Sequence, residues 1–284
     1  MAFRPPFDFD HLLSFLAARA LPGVERADGA GYARTLELTT GPAVVRVRGF
    51  GARSAPQLRT TGASPAERPA VAARFRRAFD LDADPTDVAR VLGRDALLAP
   101  LVRRRPGLRI PGAWDTFECA ARALLGQQVT VAAGRTFVAR LVARAATTLP
   151  RPLHGLTHVF PSPGAVAAAD LAGIGLTTAR AEALRGLAQA VADGRLDLDG
   201  PPCDVIAGLV RFPGIGPWTA QYVALRALGD HDAFPAADLV LRRAAAGGGP
   251  PLSARALADR AEAWRPYRGY AAVHLWNAAA ARRA

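Results

Sequence analysis

The feature that most constrains this chain is where its strand periodicity stops. "YARTLEL" (32–38) and "AVVRVRGF" (43–50) alternate apolar and polar residues with period two around "TTGP", the signature of a hairpin. A helical segment precedes them at 11–20 and another, 67–80, follows. After "LDADP" (81–85) no alternation recurs, and the sequence reads as helices cut by Gly and Pro at 86–93, 95–103, 113–125, 129–147, 163–170, 178–193, 203–211, 217–228, 238–245, 253–264 and 268–281. The expected class is therefore α+β, a small mixed α/β unit followed by an all-α remainder. Half of the 284 residues are hydrophobic, enough for two or three modest domains. No apolar run approaches the roughly 20 residues that span a bilayer, and "MAFRPPFDFDHLL" lacks the pattern of a signal peptide, so a cytoplasmic address is expected.

Charge narrows the partner. The formal net charge is +12 with pI near 11.2, which points to a polyanion such as nucleic acid, although charge alone also admits a membrane surface. All 36 Lys-plus-Arg positions are arginine; the chain has no lysine. "RRRPG" (103–107) and the terminal "RRA" read as solvated basic runs. Cys119 and Cys203 have no Cys or His partners at metal-ligand spacing, which argues against a disulfide framework, a zinc site or an iron-sulfur cluster. Both are expected to be small buried residues.

Chemistry concentrates in "RFPGIGPWTAQYVALRALGDHDAFPAADLVLRR" (211–243). Gly-Ile-Gly followed by Pro217 and a helix places free backbone N–H groups at a helix N-terminus, an arrangement that can hold a phosphate. The same turn also reads as a plain helix connection. Asp238 precedes an apolar helix and can cap it, without the Glu or Gln three residues later that completes a capping box. Trp218 and Tyr222 share one helical face, and "YRGYAAVHLW" (267–276) adds further aromatics; such stripes serve cores as well as ligand sites.

Taken together with "PPFDFDHLLSFLAARAL", "RPGLRIPGAWDTFECAARALLGQQVTVAAG" (105–134), "AAADLAGIGLTTARAEALRGLA" (167–188) and "AEAWRPYRGYAAVHLW" (261–276), this stretch resembles the helix-hairpin-helix DNA glycosylases of the DNA-3-methyladenine glycosylase II (AlkA) type, through nearly the entire chain. The resemblance implies an N-terminal α+β domain, 1–87, a helical domain formed by 88–112 and 231–284 that carries the catalytic aspartate, and a helical domain, 113–230, with the helix-hairpin-helix motif. It implies Asp238 as the catalytic carboxylate and Phe15, Trp218, Tyr222, Val240, Trp276 and Asn277 around the base. Gln127, Gln128, Gly214, Ile215, Gly216 and Thr219 fall on its DNA-binding positions. The carbonyls of Val210, Phe212 and Ile215 fall where some members hold a monovalent cation, Na+ or K+; no other cofactor is implied.

Three departures bear on specificity. Val240 stands where a larger aliphatic is expected, Asn277 where an aromatic is, and Gln128 where an apolar wedge fills the space left by a flipped nucleotide. The expected activity is monofunctional release of alkylated purines from double-stranded DNA by a monomer, without strand cleavage. The alternative is a non-catalytic helix-hairpin-helix DNA-binding module.

Overall fold

The computed structural model describes residues 2–29, 31–49 and 56–281. The chain opens with α1 (Phe9–Arg19), capped by the Asp8 carboxylate on the His11 N–H. A four-stranded antiparallel sheet follows in the order β1 (Glu25–Asp28), β2 (Gly31–Leu38), β3 (Gly41–Arg48), β4 (Gln57–Thr61). The β2–β3 register pairs Tyr32 with Val47 and Leu36 with Ala43, so the period-two residues Tyr32, Leu36, Val45 and Val47 face one way. Together with Phe7, Phe9, Leu12, Phe75, Phe79 and Trp114 they form the first core. The far end of the strand expected over 43–50, at Phe50, lies outside the described residues, as does the terminal "RRA".

Then come α2 (Arg68–Ala78), α3 (Pro85–Leu92), α4 (Ala99–Arg104), α5 (Thr116–Leu125) and α6 (Val131–Ala145). The expectation of an all-α remainder fails here. β5 (Thr147–Leu153) and β6 (Leu156–Val159) form a hairpin. Its prolines, Pro150 and Pro152, read as breakers, but a two-stranded ribbon tolerates missing donors. The His154–Gly155 turn supplies the two positive φ values, 54° and 79°, that a tight hairpin needs. Leu149, Leu156 and Val159 pack on Ala33 and Val44, so the ribbon covers part of the outer face of the first sheet. The short strands β1 and β4 also went unread in the sequence.

The remaining helices are α7 (Pro163–Ala168), α8 (Thr178–Ala192), α9 (Pro202–Leu209), α10 (Pro217–Val223), α11 (Leu239–Ala244), α12 (Ala254–Ala261) and α13 (Arg268–Ala281). The helix expected over 217–228 changes character midway: Ala224–Leu228 is a π-helical turn that ends at Gly229, φ 71°. A second core joins α5, α6, α8, α9 and α10, with Leu21 and Val24 reaching in from the N-terminal segment. A third joins α3, α4 and α11 to α13, and includes Ala224 and Leu225 of the π turn. Cys119 is buried as expected, but Cys203 is exposed, because it lies in the first turn of α9 away from Val205 and Leu209, which face the core. No described helix is long and apolar enough to cross a membrane.

Candidate active site

Three aromatic side chains from the edges of the three cores meet at one place. Phe15 borders the first core, Tyr222 the second and Trp276 the third, and each is only partly buried. Trp218, one turn before Tyr222 on α10, stacks on it with ring centroids 5.2 Å apart and planes 14° apart. Trp276 approaches Tyr222 edge-on at 6.3 Å.

Asp238 stands beside this group. The loop that delivers it is pinned by the Phe234 N–H on Gln221 Oε1 (2.9 Å) and by its own N–H on the Pro235 carbonyl (2.8 Å). Its extended backbone, φ −62° and ψ 120°, makes it the N-cap of α11, with Oδ1 accepting the Leu241 N–H at 2.9 Å. The other carboxylate oxygen, Oδ2, accepts the Trp218 indole N–H at 2.8 Å. The cap and the active-site reading are therefore compatible, each using one oxygen. No arginine among the described residues pairs with this carboxylate.

The hairpin between α9 and α10 is built by its own backbone. The Phe212 N–H bonds the Leu209 carbonyl (3.1 Å) and the Ile215 N–H bonds the Phe212 carbonyl (3.0 Å), curling the chain so that buried Ile215 anchors the turn. Gly214 has φ +80°, and a Cβ there would lie 3.0 Å from the Ala183 Cβ, so glycine is required structurally. Gly216 differs. Its φ is −89°, nothing lies within 4 Å of where its Cβ would be, and it is exposed at the N-cap of α10.

Gln127 braces the hairpin, its Nε2 donating to the Gly214 carbonyl and to Thr219 Oγ1, both at 2.8 Å. Arg180 in turn donates to the Gln127 carbonyl at 3.1 Å. Gln128 is exposed with φ +57°, held out from the α5–α6 junction. Val240 lies half-buried two residues beyond Asp238. Asn277 is turned toward α1, its Oδ1 2.8 Å from His11 Nε2, and its Nδ2 is buried without a partner among the described residues. Burial holds His11 below its usual pKa, despite the Asn277 hydrogen bond.

Two residues of the site went unread in the sequence. Arg226 is 8% exposed, with its guanidinium carbon 4.4 Å from the Phe15 centroid and 5.2 Å from the Tyr222 centroid. Arg19 lies over the Phe15 ring at 3.7 Å. Burial lowers the Arg19 pKa, and neighbouring Arg226 adds to this. Each arginine follows its aromatic by four residues on a helix, a spacing that brings side chains together and was the available signal.

Residues 1–115 match the family model for the AlkA N-terminal domain. The "Probable bifunctional transcriptional activator/DNA repair enzyme AlkA" of Mycobacterium tuberculosis is 40% identical over 281 residues, which cover 96% of this chain and 55% of that protein. The chain thus spans about half the length of that relative. The "DNA-3-methyladenine glycosylase 2" of Escherichia coli is 37% identical over 282 residues, covering 96% of this chain and 95% of its own length. Among solved structures, the 3-methyladenine DNA glycosylase of Archaeoglobus fulgidus superposes with TM-score 0.83 over 97% of this chain and 96% of its own, at 23% identity, which establishes a shared fold.

Proposed function

Because the chain belongs to the AlkA family of DNA-3-methyladenine glycosylases, we propose that it is a monofunctional DNA glycosylase that hydrolyses the N-glycosidic bond of alkylated purines in double-stranded DNA. The observation that carries this reading is Asp238, whose second oxygen faces an aromatic cluster while the first caps a helix.

A base inside a duplex is out of reach of a carboxylate on a protein surface, so the nucleotide has to be turned into the site. Gln128, projecting from its junction, is placed to enter the vacated stack. The Gly216 and Trp218 N–H groups at the start of α10 are suited to a backbone phosphate, with exposed Gly216 leaving room for its approach. Stretching the glycosidic bond builds positive charge on the deoxyribose, which a fixed anion stabilises. Asp238 is that anion, and it orients the attacking water. A purine alkylated at N3 or N7 is already cationic, so electron-rich ring faces attract it at about 0.5 to 2 kcal/mol per contact. Trp218 and Trp276 offer such faces.

The hairpin carbonyls of Val210, Phe212 and Ile215 are neutral oxygen donors of the kind an alkali cation takes. The Phe212 carbonyl already accepts the Ile215 N–H, and its second lone pair remains for a cation. Such an ion would stiffen the turn that meets the phosphate. We read the protein as acting as a monomer on DNA in the cytoplasm.

The test is Asp238→Asn. Asn keeps one amide oxygen to cap α11 in place of Oδ1, but it deletes the charge and sets an NH2 donor where Oδ2 accepts the Trp218 N–H. The variant should unfold close to the parent, still bind an abasic-site duplex, and release base about a hundredfold or more slowly. A folded variant with parental release overturns the catalytic reading in favour of a DNA-binding module.

A further inference from the structure

Arg226 is a buried cation without a counter-ion among the described residues. Its Nε donates to the Pro111 carbonyl and its Nη1 to the Tyr222 hydroxyl at 2.5 Å, and no carboxylate among the described residues pairs with it. Desolvating a guanidinium is costly, and neutral partners return only part of that cost. It also projects from the π-helical turn Ala224–Leu228, an irregularity often found at functional sites. Arg226 touches Tyr222; Tyr222 stacks on Trp218; Trp218 holds Asp238. A fixed cation and a fixed anion thus flank one aromatic pair.

We propose that the Arg226 guanidinium stabilises the electrons that move onto the departing base, acting as the electrostatic counterpart of Asp238. The inference rests on the glycosylase reading above. When the bond between C1′ and the purine nitrogen breaks, its electron pair stays with the base. Water oxygen bonds to C1′, and the proton it loses goes to the carboxylate or to solvent. A cationic base leaves neutral; a neutral base leaves as an anion and takes up the proton released by water. In either case the base becomes one unit more negative. A cation on the base side and an anion on the sugar side therefore both favour the shift.

The two substrate classes differ before the bond breaks. A cationic lesion is repelled by Arg226 in the bound ground state, whereas a neutral lesion is not. Interactions that worsen binding yet favour the transition state raise the chemical rate at the expense of affinity. Arg226 should therefore influence rate with both lesions, but influence affinity with opposite tendency only for the cationic one.

The experiment measures single-turnover base release and duplex affinity with 7-methylguanine, cationic, and hypoxanthine, neutral, in the parent and in Arg226→Gln. Release should slow about tenfold or more with both, a barrier increase of about 1.4 kcal/mol. Affinity for the 7-methylguanine duplex should rise while that for the hypoxanthine duplex does not, and Arg226→Lys, which keeps the charge, should recover most of the rate. If Arg226→Gln does not fold, Arg226→Met serves, since an apolar side chain of similar length avoids burying an unpaired polar group. A folded neutral variant with parental rates, or one whose affinities for both lesions change alike, overturns the proposal alone. A parent inert on both lesions overturns the glycosylase reading and this inference with it.

Discussion

The Trp218 indole donates to Asp238 Oδ2 at 2.8 Å while the Leu241 N–H occupies Oδ1 at 2.9 Å, so the carboxylate is gripped at both oxygens by two different helices. One grip comes from α10, which leaves the hairpin, and the other from α11, in the third core. The orientation of the carboxylate thus depends on how those elements sit together. A hydrogen bond to a charged group contributes about 1.5 to 3 kcal/mol. Trp218→Phe keeps a ring over Tyr222 but removes the donor, and it should slow base release about tenfold or more while lowering the unfolding midpoint by about 3 to 10 °C. Single-turnover kinetics beside thermal unfolding checks this; a parental rate would mean that the α11 cap alone orients Asp238.

The two glycines of the hairpin should respond in opposite ways to the same substitution. At Gly214, φ +80° and the nearby Ala183 Cβ make a β-branched residue strained, and Gly214→Val should lose more than about 2 kcal/mol of stability. At Gly216 the backbone suits any residue and the space is open, so Gly216→Val should lose no more than about 1 kcal/mol through the weaker cap. Its effect should fall on binding. Affinity should drop similarly for damaged and undamaged duplexes, because phosphate contacts carry no base information. Equilibrium binding over a salt series decides it, and parental affinity in folded Gly216→Val would return the turn to a plain connection.

What could be read in the sequence was whatever side-chain periodicity specifies. The alternation at 32–38 became β2, and most helices began at a capping Ser, Thr or Asp such as Asp115, Thr130, Ser162 and Ser253. β1 and β4 are four and five residues long and owe their existence to backbone pairing with longer neighbours. The β5–β6 ribbon was hidden by its prolines and by a His-Gly turn whose two positive φ values carry no strong residue signature. The π turn differs from a continuous helix by a single hydrogen-bond step, which hydrophobic spacing cannot register. At the site, Asp238 looked like either a cap or a catalyst because one residue supplies two oxygens. The approach of Arg226 to Phe15 joins residues 211 positions apart and had no local signature.

Acid should weaken the α1–α13 contact through His274. This residue is 3% exposed, and burial, then the nearby His11 and Arg105, pulls its pKa down to about 4. An unfolded histidine takes its proton near pH 6.5, while the folded one resists until about pH 4. The unfolded state thus binds more protons between those values, and stability contributed above pH 6.5 is lost as pH falls toward 4, to a limit of about 3 kcal/mol. His11, also lowered by burial, adds in the same sense. Urea midpoints from pH 7.5 to 4.5 should fall more steeply for the parent than for His274→Leu. Equal slopes would show that this histidine titrates freely in the folded chain.

The absence of lysine fixes the expected product. Strand cleavage by a glycosylase through a covalent intermediate needs a primary amine to attack C1′ and form an imine. All 36 Lys-plus-Arg positions are arginine, whose guanidinium stays protonated, and the ring nitrogen nearest Asp238 is the Trp218 indole N–H, committed to the carboxylate and no nucleophile. A chain's α-amino group is the remaining primary amine. Base release should therefore leave an intact strand with an abasic site, which breaks only on treatment with alkali or heat. Borohydride, which reduces an imine to a stable amine, should trap no more protein on a lesion-bearing duplex than on an undamaged one. A trapped adduct at the level of a true lyase, resolved by gel electrophoresis, would show that a covalent route operates and that water is not the sole nucleophile at this site.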